Sequence, residues 1–445
     1  MSVSYLSALP PELAGLIVRE LTINSDVAAV CLTSTRLYDV GSRVLYDFPV
    51  AAGLRRMISL LRTIVNKPEL AQYVKRFTFD FLFQVPNLPK RIFPSFLRLA
   101  TRALRSMSNL TELYAKLLPH LPVVLDRYVF PSLTHGSFAI TKTAIPFLEA
   151  NAATIIDLEL ADADDDIDEP DRELGPEHRV FFPRLARADM PLDIAPLFLM
   201  GTSTSAVTIH LPYPASVQGL EADYLALCLD EVPISTLKIS SVAPGMHIFR
   251  AIVENAPGLH SLVIETILQP EIPRPGLLRT LERYISEFTN LKGLVIAGRP
   301  GIFRPIEPEY GDINDLAALV ARMHKHCKTL ELINLGFGVF WTQTGGVWMP
   351  RTLDAAPAGS KLHNTLTKWA MERCASDPGL MATLVAIARQ QFPTQIREIY
   401  QEHGISEGDA QEAFRMLDNE DDGEDSGRES DWATDEGSAN SGDEN

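Results

Sequence analysis

At 445 residues, with 46 % hydrophobic and 22 % charged residues, the chain is too long for one small domain and too apolar to be disordered over most of its length. A prior of about 100–200 residues per domain gives two to four units. The net charge of −17 is concentrated: residues 418–445 hold twelve acids and one base, residues 162–173 hold eight acids and one base, and the remainder is close to neutral.

Within that neutral remainder, residues 54–105 carry eleven Lys/Arg against two acids, a local excess that could face an acidic partner or simply be a solvated helix face. No uninterrupted apolar run approaches the ~18 residues a membrane helix needs. The opening MSVSYLSALPPEL lacks the basic and apolar regions of a secretory leader. The expectation is a cytoplasmic and/or nuclear protein with no membrane partner. Cys31, Cys228, Cys327 and Cys374 are far apart without a Cys-x-x-Cys pair, so buried free thiols are expected, not disulfides or a zinc ribbon.

In chain order, Leu9-Pro10-Pro11-Glu12-Leu13 reads as a helix start, with proline and an acid where the free N–H groups and the dipole favour them. Leu13, Leu16, Ile17 and Leu21 then form one apolar stripe on a helix of about ten residues. A second short helix carries Val27, Val30 and Cys31, with Ser25 or Asp26 as its cap, and Thr33 or Ser34 caps a third. The third helix bears two stripes, Leu37/Val40/Val44 and Tyr38/Gly41/Leu45, more apolar surface than one small core can use. A unit of ~45 residues is also marginal alone, which favours completion against a partner or the rest of the chain.

LPPELAGLIVREL followed by SDVAAVCLTSTRLYDVGSRVLY resembles the F-box, in the form common in fungal F-box proteins, over residues 6–47. Tyr38 stands where many F-boxes carry tryptophan, and Gly41 costs the helix about 0.5–1 kcal/mol relative to Ala. The resemblance implies binding to the Skp adaptor and through it to a cullin scaffold. It implies that Leu9, Pro10, Leu13, Ile17, Leu32, Leu37 and Tyr38 make the adaptor contact.

From Val74 onward, short β-like runs recur about 20–40 residues apart: VKRFTFDF, LTELYA, LTHGSFAI, IIDLELA, a weaker RLARADM, AVTIHL, ISTLKIS, LHSLVIE, LKGLVIA and LELINL. Most follow a helical stretch. The fold class expected is α/β: an N-terminal three-helix F-box (4–50), then an irregular leucine-rich-repeat-like solenoid (54–350) whose strand face binds an unknown protein substrate. Separate small α/β domains are the alternative. Thr344-Gly345-Gly346 reads as a hairpin turn that caps the repeats. A helical C-terminal cap (360–417) precedes a disordered acidic tail (418–445), in which Ser426 and Ser441 suit acid-directed phosphorylation.

The chemistry of an enzyme is looked for and not found. Asp162, Asp164, Asp166, Asp168 and Glu173 match positions 1, 3, 5, 7 and 12 of a calcium loop, but Ile167 replaces the turn glycine and the preceding IIDLELA reads as a strand. An exposed acidic insertion is expected there. His324, His326 and Cys327 lack a fourth ligand and read as a helix tail. No phosphate loop, nucleophile elbow or metalloprotease motif appears, so no catalytic residue, cofactor, metal or nucleic-acid partner is assigned. The function expected is that of a substrate receptor for a ubiquitin ligase; the rival is a binding scaffold with a helical end-cap that joins no ligase.

Overall fold

A computed structural model describes residues 9–79, 93–162, 174–211, 220–266, 275–298 and 313–352. Residues 22, 52, 117, 119, 231, 242–245, 336–338 and 345 within these spans are excepted, and residues 366, 368–370, 372 and 373 are added. The acidic tail, most of the expected helical cap and the acidic insertion beyond Asp162 lie outside the described residues. The chain falls into two compact units, one of residues 1–342 with 350–353, the other of 343–349 with 354–445.

The first unit opens with three helices: α1 (Pro11–Arg19), α2 (Asn24–Cys31) and α3 (Thr35–Asp47). Pro11 stands in the first turn of α1, where its missing N–H has no helical partner to lose. Ser34 caps α3 by accepting from the Leu37 amide at 3.2 Å. The cap expected for α2 at Ser25 or Asp26 does not form; its N-cap is Ile23, without a side-chain bond.

Helices α4 (Leu54–Asn66) and α5 (Pro68–Ala71) lead to a sheet whose strands follow one another in chain order. The strands are β1 (Arg76–Thr78), β2 (Glu112–Ala115), β3 (His135–Ile140), β4 (Asp157–Asp162), β5 (Arg187–Pro191) and β6 (Ala206–His210). They continue with β7 (Thr236–Ser241), β8 (Ser261–Thr266), β9 (Gly293–Gly298) and β10 (Leu332–Asn334). All neighbours from β1 to β10 are parallel. The weak run RLARADM is a full member, β5. A helix follows each of β1 to β9 before the next strand, except that between β4 and β5 the described residues hold only the 3-10 turn Pro176–His178; the first of these helices, α6 (Phe93–Ser106), packs on α4. Parallel strands require such crossovers. The result is an open, solenoid-like α/β sheet.

Two local rules explain the regularity. The first is the spacing apolar-x-x-apolar-x-apolar, as in Leu110/Leu113/Ala115, Ile155/Leu158/Leu160, Leu259/Leu262/Ile264 and Leu291/Leu294/Ile296, all of whose side chains are buried. Strand alternation sends the last two of each triplet to one face, and the first locks the turn beneath it. Rings join strand to helix on that face: Phe79 meets Phe96 at 6.4 Å and Phe138 meets Phe147 at 5.3 Å, both edge-on. Each buried side chain of this size stabilises by about 1.5–3 kcal/mol.

The second rule is a shared carbonyl. The amides of Thr111 and Glu112 both donate to Lys75 O; those of Thr134 and His135 to Thr111 O; those of Ile156 and Asp157 to Thr134 O. The same pattern continues to Glu331 and Leu332 on Lys292 O. A Thr or Ser hydroxyl adds a third donor where one is present, as Thr111 Oγ1 to Lys75 O at 2.9 Å. Each unit thereby hands its register to the next, and the helical crossover between them is free to vary in length.

Strand β11 (Val339–Thr344) breaks the parallel run by pairing antiparallel with β10, and β12 (Val347–Thr352) follows it in the sheet. Between them Gly346 takes φ 84°, the left-handed conformation that a tight turn needs. In the second unit, Leu366 and Trp369 are buried and the Arg373 guanidinium sits over the Trp369 ring at 5.7 Å.

Candidate docking surfaces

The three N-terminal helices share a core of Ala14, Val18, Val27, Leu37 and Val40, with Leu9, Leu21, Val30, Val44 and Leu45 packed against it. The expected stripe of α1 is therefore only partly its core face. Ala14 and Val18 point inward while Leu13, Leu16 and Ile17 remain 48, 58 and 44 % exposed; of the stripe only Leu21 joins the core. A Cβ on Gly15 would stand 3.9 Å from Val40 Cγ1, an ordinary contact, so α1 packs on α3 through Ala14 and Val18 without needing that glycine. The larger side chains of the same helix are left outside.

Leu32, in the turn between α2 and α3, is 87 % exposed, Tyr38 on α3 is 42 % exposed, and Pro10 is exposed as well. Arg36 Nη2 donates to Leu9 O at 2.7 Å, tying the start of α1 to the start of α3 and bringing Pro10 toward the turn that bears Tyr38. Of the sequence-assigned contact residues, Pro10, Leu13, Ile17, Leu32 and Tyr38 are thus at the surface. Leu9 is half-buried against the core, and Leu37 is buried in it. Leu16 was not among the assigned residues, although its place beside Leu13 and Ile17 was the available signal.

Gly41 lies where α3 crosses α2. A Cβ there would stand 2.3 Å from Cys31 Sγ, so the glycine that weakens the helix also permits its packing. Burial pushes the Cys31 thiol up, and Cys31, Cys228 and Cys327 are buried free thiols. Cys228 is pushed up to about 12 by burial alone.

The second surface is the sheet face turned away from the apolar triplets. Register sets Glu112, His135, Asp157 and Arg187 side by side in one row, and Tyr114, Ser137, Glu159, Asp189, Thr208 and Lys238 in the next. Arg187 grips Asp157 with both arms, Nε to Oδ1 at 2.7 Å and Nη2 to Oδ2, and this pairing raises its own pKa. His135 Nε2 reaches the same carboxylate at 2.5 Å. Lys116 pairs with Glu159, His210 with Asp189 at 2.5 Å, and Lys238 with Glu265 at 3.1 Å.

The Tyr114 phenol is pushed up by burial and then by Glu112, whose carboxylate accepts its hydroxyl at 3.2 Å. Ser137 Oγ is buried in the middle of its row with no hydrogen-bond partner among the described residues, the kind of group that an outside donor or acceptor satisfies. Beyond β7 the same face carries Val263, Gly293, Val295 and Ala297, together with Ser261 and the Glu265 that pairs with Lys238. The face is a polar ladder of partly exposed, mutually held charges.

His324 and His326 end the helix Ile313–His326, and burial, aided by Lys328, lowers His324. Cys327 turns inward, its Sγ 3.3 Å from Thr329 Oγ1. Among the described residues no cluster of His, Cys, Asp and Glu is arranged to hold a metal, and no helix is long and apolar enough to cross a membrane. Searches against protein-family models and curated proteins returned no match.

Proposed function

We propose that the chain is a non-catalytic substrate receptor of an SCF-type ubiquitin ligase, working in the cytoplasm and/or nucleus. In this reading the N-terminal helices are an F-box that binds the Skp adaptor, and through it a cullin. The α/β region is a leucine-rich-repeat-like receptor whose polar strand face takes the target protein.

The observation that supports this best is the inverted packing of α1. Ala14 and Val18 fill the core while Leu13, Leu16 and Ile17, with Leu32 and Tyr38 nearby in the chain, stay in water. Because most of these side chains are about half-exposed, covering each would recover roughly half of the ~1.5–3 kcal/mol that full burial gives, and more for Leu32. A standard interface of ~800 Å² per partner could bury them all.

The test is a pull-down of purified Skp adaptor by the full chain, wild type against a Leu13→Asp, Leu32→Asp double variant. Both positions are exposed, so the variant should keep its circular dichroism and melting curve and lose the adaptor. Leu37 is unsuitable, because a charge in the core would unfold the unit instead of probing its surface. Failure of the wild type to bind at micromolar concentration and low salt refutes the ligase reading and leaves a scaffold with a helical end-cap.

A further inference from the structure

Helices α4 and α6 pack side by side, and their outer faces carry one sign of charge. On α4 the buried positions are Met57, Leu61 and Ile64, and the exposed ones include Arg55, Arg56, Ser59, Arg62 and Asn66. On α6 the buried positions are Phe96, Leu97, Ala100, Ala103 and Leu104, and the exposed ones include Ser95, Arg98 and Arg102. Neither helix contains an acid. Lys67 continues the stripe just past the end of α4.

None of Arg55, Arg56, Arg62, Lys67, Arg98 and Arg102 has an ion-pair partner among the described residues; Arg98 only touches Ser95 Oγ at 3.3 Å. On later helices Arg250 pairs with Glu254 and Arg322 with Glu282. Like charges a turn apart, such as Arg98 and Arg102, repel, and no acid pairs with them among the described residues.

The start of α4 departs from a solvated helix in a second way. Its N-cap, Gly53, supplies no side-chain bond, its first turn holds no acid, and Arg55 and Arg56 stand there instead. The free amides and positive dipole end favour an anion at that place, and two cations there are unfavourable until one arrives.

We infer that this face binds the phosphate backbone of nucleic acid, without reading its sequence. Arginine outnumbers lysine five to one among the six bases, and the guanidinium fork matches phosphate oxygens. Ser59, Asn66 and Ser95 interleave with the arginines and add neutral donors of the kind used on phosphates. No large apolar side chain is exposed on either helix, so the face lacks the aromatic anchors of a protein interface, rings to stack on bases, and wedges to enter a bilayer. Duplex nucleic acid carries one charge per about 1.7 Å, so a stripe a few turns long meets several phosphates in any register. Binding here uses residues other than those of the adaptor surface and stands or falls separately from it.

The experiment is fluorescence anisotropy of the full chain on a labelled random-sequence duplex of about two dozen base pairs, as DNA and as RNA. Neutralising four to six phosphates predicts a slope of about −3.6 to −5.4 in log K against log salt, hence about 150- to 2,000-fold weaker binding at 200 than at 50 mM salt. The variant Arg62→Gln, Arg98→Gln, Arg102→Gln should keep its melting curve and its adaptor binding, and should shallow the slope by about 0.9 per arginine removed. Absence of binding at 50 mM salt, or binding that the variant leaves intact, overturns the inference. So does capture by phosphatidylserine vesicles or by polyglutamate, lost in the variant, when the duplex binds no better than they do.

Discussion

Replacing Gly41 by alanine tests how the three-helix unit is held together. Alanine is the better helix former by about 0.8–1 kcal/mol, so an isolated α3 would gain. In the folded unit the new Cβ would meet Cys31 Sγ at 2.3 Å, well inside contact, while Val27 O at 3.5 Å and Cys31 Cβ at 3.7 Å are ordinary neighbours. The clash is thus with one atom, in a core where overpacking costs about 1–3 kcal/mol. Gly41→Ala alone should be neutral to ~2 kcal/mol destabilising. Cys31→Ala alone should cost about 1 kcal/mol for the lost sulfur contacts.

The double variant removes the clashing atom and keeps the helical gain, so it should be more stable than the sum of the singles by about 1–3 kcal/mol. Because the chain holds more than one unit, the readout is local: hydrogen exchange of peptides spanning residues 24–47, which reports the opening free energy of α2 and α3. Additive singles, or a Gly41→Ala chain protected as well as propensity alone would give, refute the claim that close approach of α2 and α3 is what requires glycine.

Asn151 should be the most sensitive buried polar residue of the repeats. Its Oδ1 accepts from the Phe130 amide at 2.8 Å and its Nδ2 donates to Tyr128 O and Phe147 O at 2.9 Å, so Asn151→Leu strands an amide and a loop carbonyl. The expected loss is about 2–5 kcal/mol, seen as faster exchange in residues 128–151. Cys228, with its thiol pushed up to about 12, should hold no thiolate at pH 8; a native chain should leave it unmodified by iodoacetamide, with labelling after urea, measured by mass spectrometry. His324 is lowered, so the folded state resists its protonation, and the unfolded chain takes up that proton first as pH falls below about 6.5. Its stability contribution is full above that pH and is lost as pH falls toward the folded value. His324→Gln should flatten the melting temperature between about pH 7 and pH 5, and an unchanged slope would exclude the group as its source.

Much of the fold was legible because it is local. The strand runs beginning at Val74 each announce themselves by branched and aromatic residues, and even the weak RLARADM became β5, since an apolar triplet at strand spacing suffices to bury one face. Pro11 and Ser34 act where helix-terminus chemistry alone places them. The turn after β11 was legible, since Gly346 marks it, but that β11 pairs antiparallel with β10 was not.

Which side of a helix faces inward was not legible for α1. Leu13, Leu16 and Ile17 form the more apolar stripe, yet Ala14 and Val18 are the buried residues, because which face turns inward is set by contacts with α2 and α3 that exist only after packing. The separate crossing of α2 and α3 turns Gly41 from a helix weakness into a requirement. The polar ladder was invisible for a related reason: Lys116 and Glu159, Asp157 and Arg187, or Asp189 and His210 share no sequence pattern and meet only because register aligns strands from different repeats. The residues by themselves determined strands, helix starts, an apolar surplus in the first fifty positions and an excess of arginine in the next fifty. Tertiary structure alone decided which of those side chains stay in water, because burial is a property of neighbours that the chain brings from far away.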